Sequence, residues 1–164
     1  MFFKTYQKLL GASCLTLCLV GCGNGGGGES PVEMSVNSKG EFSISSKVDS
    51  VTIQGVKLNW GNCAVNFVPV GEVDLFLIDL ILSKITLISI QDLKDMASVY
   101  EILDQKKELA NIANKISQLE QKGVMMEPQA LKFGEKIKGF SQGCDIIEAE
   151  IQTDKGSWTF NFDR

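Results

Sequence analysis

The residues able to do chemistry in this chain are few. There is no histidine, which removes the most common general base and the most common metal ligand. The cysteines stand at 14, 18, 22, 63 and 144, with no Cys-x-x-Cys spacing among them, so a thioredoxin-type redox pair is not predicted. Asp145, Glu148, Glu150 and Asp154 lie close together, and Glu148 and Glu150 share one face of a strand. Such oxygens can hold Ca²⁺ or Mg²⁺, but EF-hand spacing is absent; the reading adopted is a solvated strand face, with no metal site. No Ser-x-x-Lys motif and no histidine base activates a serine. Two acids could converge as in a glycosidase, yet a chain this short leaves little room for a long cleft. No catalytic residue, cofactor or enzyme activity is therefore predicted. Trp60 and Trp158 are expected to pack in a core or on a sheet face; the alternative is an exposed platform for a carbohydrate or a partner.

The N-terminus carries a different chemistry. Lys4 and Lys8 precede an apolar run, Leu9–Val20, that is too short to cross a bilayer as a helix, and Gly21-Cys22 follows. A basic stretch, an apolar stretch and a small residue before the cut are the parts of a secretory signal. The segment Leu19-Val20-Gly21-Cys22 resembles the bacterial lipobox. The resemblance covers residues 1–22 only. It implies diacylglyceryl attachment to the Cys22 thiol, cleavage between Gly21 and Cys22, and a freed amine open to acylation. Two or three acyl chains anchor a protein stably without a transmembrane helix. Gly23 and Asn24 follow the cysteine where inner-membrane retention typically needs Asp. By that analogy the protein is sorted to the outer membrane, facing the periplasm or the cell surface.

Cleavage discards Cys14 and Cys18, and lipidation occupies Cys22. Cys63 and Cys144 then remain as an even pair in an oxidising compartment, and they are expected to form a disulfide. Residues 22–31 comprise the lipidated cysteine and a Gly-rich tether with random-coil behaviour. Residues 32–164 are expected to form one globular domain.

The expected fold is α+β: a small antiparallel sheet from both chain ends, a helical insertion at about 72–122, and one disulfide. A β-sandwich with a helical insertion is the alternative. Glu41–Ser45 alternates with Phe42 and Ile44 on one face. Val51–Leu58 alternates with a slip at Gly55, which suggests a bulge. Asn59–Asn62 is turn chemistry, and Cys63–Phe67 could return as a short strand. Residues 144–152 and 157–162 form a hairpin around Thr153-Asp-Lys-Gly156, and Leu131–Ile137 is a further strand candidate. Residues 72–90 fit either helix or buried strand, with helix preferred; Asp74, Asp79 and Lys84 argue against a membrane span. Residues 92–122 read as helix, capped by Asp92 and ended by Gly123. The apolar stripe slips in phase across 104–107, so it wraps or the helix bends there. That stripe is expected to pack on the domain's own sheet, with a partner helix as the alternative.

The net charge is −4, and losing Lys4 and Lys8 makes the mature protein more acidic. Nucleic acid is excluded as a partner on this ground. The functional expectation is a membrane-anchored envelope lipoprotein, monomeric, acting as a protein-interaction module in envelope assembly, secretion or conjugation, exclusion or immunity. A lipoprotein binding a small ligand, carbohydrate or cation is the alternative, and a small envelope hydrolase the third.

Overall fold

Alternating apolar residues set the strands, and their partners sort the strands into two antiparallel sheets. A computed structural model describes residues 28–68 and 86–163. The signal segment, Cys22, most of the tether and the helix expected over the first part of 72–90 lie outside the described residues. Strand β1 (Val32–Val36), β2 (Glu41–Ser46) and β5 (Lys136–Phe140) form one sheet in the order β1-β2-β5. Strand β4 (Gln129–Lys132), β3 (Ser50–Leu58), β6 (Glu148–Thr153) and β7 (Gly156–Asn161) form the other in the order β4-β3-β6-β7.

The class is α+β, with both ends of the 32–161 region in the sheets and a helical insertion between them. The single expected sheet is divided in two, because β2–β3 and β4–β5 each turn a corner from one sheet to the other. At this corner Ser46 donates its N–H to the Glu135 carbonyl, and its own carbonyl accepts from Gly134. The candidate strand Leu131–Ile137 is accordingly split by the 133–135 turn, where Gly134 has φ +77°. Two inner faces then build one core. Val32, Met34, Phe42 and Ile44 from the first sheet join Val51, Ile53, Val56, Leu58, Leu131, Ala149 and Ile151 from the second.

The β3 phase slip is real. Its register against β6 shifts between Ile53 and Gly55, which keeps Val51, Ile53, Val56 and Leu58 all buried. The Thr153–Gly156 hairpin also forms. Two sequence expectations differ. Residues 63–67 contribute only isolated bridges, Leu58↔Cys63 and Asn66↔Phe140, and residues 144–147 are not strand.

Among the described residues the helical insertion holds two helices, α1 (Ile90–Ile102) and α2 (Lys106–Gln121). The phase slip becomes a break, with Asp104 at φ +53° between them. The expectation that this stripe covers the sheet is corrected. Ile90, Leu93, Met96, Ile112 and Leu119 form a separate small core, and the sheets cover one another instead. The N-cap is Ser89 rather than Asp92. Asp92 is the third helical residue and completes a capping box with Ser89. Among the described residues, no helix is long and apolar enough to cross a membrane.

Candidate functional site

Strand β3 ends in Leu58, whose burial fixes where the following turn begins. Asn59–Gly61 makes one 3-10 turn with three successive positive φ values, 46°, 59° and 89°. Left-handed backbone is uncommon for Asn and strained for a bulky residue such as Trp60. The strain persists because Asn59 is held from several sides. Its Oδ1 accepts from the N–H groups of Ile147 and Glu148 at 2.9 and 3.1 Å. Its Nδ2 donates to the Asp145 carbonyl at 2.7 Å and lies 3.5 Å from Cys144 Sγ. Asn62 closes the turn by donating to the Asn59 carbonyl.

The expected Cys63–Cys144 disulfide is present, with Cα atoms 6.0 Å apart. It ties the end of this turn to the segment that Asn59 grips. The result displays Trp60 at 64 % exposure, with Ile147 at 44 % on the gripped segment. Sheet-face burial, the preferred reading for both tryptophans, is therefore wrong for Trp60; it holds in part for Trp158, which is half-buried on β7. The left-handed turn carries Trp60 off the sheet.

The acidic residues near this turn do not converge. Glu150 pairs with Lys57 at 3.6 Å, and Glu148 and Glu150 are half-buried rather than fully solvated. No group of three or more potential metal ligands occurs among the described residues.

A second feature lies at the far end of the first sheet. An open groove of about 1040 Å³ is lined by Lys39, Glu41, Phe42, Phe67, Lys138 and Phe140, among others. The Phe42 and Phe67 rings meet edge to face at 5.8 Å. Gly139 permits this packing, since a Cβ there would stand 2.3 Å from the Phe42 ring.

Asp92 is a carboxylate whose burial sequence reasoning missed. It is fully buried and accepts from the N–H groups of Phe67, Val68 and Ser89 at 3.0, 3.1 and 3.0 Å. These bonds knot α1 to the chain leaving the disulfide, a structural role rather than a catalytic one. The Ser-x-x-Asp spacing was the available signal.

No family model, curated protein or solved structure matches this chain.

Proposed function

We propose that this chain is a lipid-anchored envelope protein, attached through Cys22, whose domain is a non-enzymatic docking module for another envelope protein. The observation that carries the docking reading is Trp60, exposed on a turn held by Asn59 and the Cys63–Cys144 bridge. Trp is enriched among residues that dominate binding energy, and a pre-ordered side chain loses little freedom on binding. Asp145 and Glu148 beside it favour a partner surface that combines an apolar pocket with basic residues. The lipobox resemblance supports the anchor, and Gly23-Asn24 supports outer-membrane sorting, facing the periplasm or the surface. Envelope assembly, secretion or conjugation, exclusion and immunity are the processes such a module serves.

Two tests divide the reading. Metabolic labelling with a palmitate analogue should mark the unaltered protein and not Cys22→Ser; label retained in the variant refutes the anchor. A photoreactive residue at position 60 should give a discrete adduct in intact cells, whereas one at the still more exposed Ile102 should not. Equal adducts at both positions would refute docking at this turn.

The groove favours a second reading. Its size is just above the usual range of small-molecule sites, and it pairs aromatic rings with Lys39, Lys138 and one acid, Glu41. A small anionic or aromatic ligand fits that lining, and thermal stabilisation by such a ligand, abolished by Lys138→Ala, would support it.

A further inference from the structure

Sheet edges present unpaired backbone groups, and proteins guard them with charge, proline, brevity or cover. The edges here are guarded unequally. β1 follows Pro31 and carries Glu33. β4 is four residues long, follows Pro128 and ends in Lys132. The outer side of β5 is bridged by Asn66. β7, Gly-Ser-Trp-Thr-Phe-Asn, has neither charge nor proline, and among the described residues no strand pairs with its outer side.

We propose that β7 pairs antiparallel with β7 of a second copy of this chain, about a twofold axis through Thr159. Backbone parity comes first. Phe162 donates to the Ile147 carbonyl at 2.9 Å, and Phe160 and Trp158 face Ala149 and Ile151 in the same register. Alternation along an antiparallel strand therefore turns the N–H and C=O of Ser157, Thr159 and Asn161 to the open side. An axis through Thr159 matches these three with one another: Ser157 with Asn161, and Thr159 with itself. An axis through Trp158 or Phe160 leaves Asn161 or Ser157 opposite a residue outside the strand.

Side chains agree with the same axis. Trp158 falls opposite the second copy's Phe160, twice by symmetry, and cross-strand aromatic pairs are stabilising. Both residues are half-buried at the edge, so pairing covers apolar surface still open. Just beyond the strand, Lys155 falls opposite Asp163, also twice; neither is in an ion pair among the described residues. This self-complementary charge pattern selects a second copy over a generic extended peptide. It replaces the monomer expected from the sequence, and it is independent of both the lipid anchor and the Trp60 turn.

The test uses the full chain. Thr159→Cys should give a disulfide-linked dimer under mild oxidation, above the background of the unaltered chain, because directly opposed residues of such a pair lie about 5.5 Å apart at Cα. Gln118→Cys on α2 should not. Adding Asp163→Lys to the Thr159→Cys chain should cut the dimer about tenfold by opposing like charges twice. The exchange Lys155→Asp with Asp163→Lys should restore it. Absence of a dimer linked at 159 overturns the proposal, as does linkage through 118 instead. A dimer that ignores Asp163→Lys overturns the register on which the proposal rests.

Discussion

The paired sheets and the helical pair are built on different principles. The sheets share one core drawn from two inner faces, and a disulfide closes them. The helices bury five apolar residues of their own. Among the described residues they are fastened to the rest by backbone bridges, the buried Asp92 carboxylate and the side-chain bonds of Ser89 to Val65 and of Asn66 to Asp95. Their stability therefore comes from different sources: area and cross-linking in the sheets, a polar knot at the base of α1. A single chain can thus hold one unit rigid while the other opens at lower free energy.

The largest break in that comparison is removal of the disulfide. Cys63→Ala with Cys144→Ala should cost about 4.5 kcal/mol for a closed loop of 81 residues, read as a lower denaturant midpoint. The Trp60 turn should loosen with it, while the α1–α2 packing survives in the fraction that stays folded. An unchanged midpoint would mean the bridge does not constrain the unfolded chain.

Asp92→Ala strikes the other unit. It strands the N–H groups of Phe67, Val68 and Ser89, and the expected cost is about 3 kcal/mol. Hydrogen exchange should locate the loss in α1, α2 and residues 65–68, with the β3–β6 amides protected as before. Uniform loss across both sheets would show that the helical pair is not a separate unit.

The smallest effect on folding sharpens the contrast. Trp60→Ala should change stability by no more than about 0.5 kcal/mol, as exposed substitutions do, although it removes the largest exposed side chain of the turn. A cost of several kcal/mol would make Trp60 a packing residue and remove it from recognition.

Much of the sheet was legible because period-two alternation survives in short segments. Phe42 and Ile44, the slip at Gly55, and the hairpin around Thr153–Gly156 all lie where their spacing put them. Val32, Met34 and Val36 carry the same signal for β1, which went unread beside the glycine tether. The division into two sheets depends on which strands meet across long separations, such as Ile44 with Ile137, and local pattern does not encode that choice. The cysteine pair followed from the expected export signal and from parity alone. Trp60 was misjudged because its residue type suits both core and surface; Asn59, Gly61 and Asn62 around it were the clue. Asp92 looked like a capping charge, whereas the donors that bury it are on residues 67 and 68.

The central claim is that Trp60 is exposed yet held still. In a Trp158→Phe chain, Trp60 is the sole tryptophan, and its time-resolved fluorescence anisotropy reports its motion alone. The account predicts a decay dominated by tumbling of the whole domain while Cys63–Cys144 is intact, and a large fast component once that bridge is reduced. A fast component that dominates before reduction would contradict it.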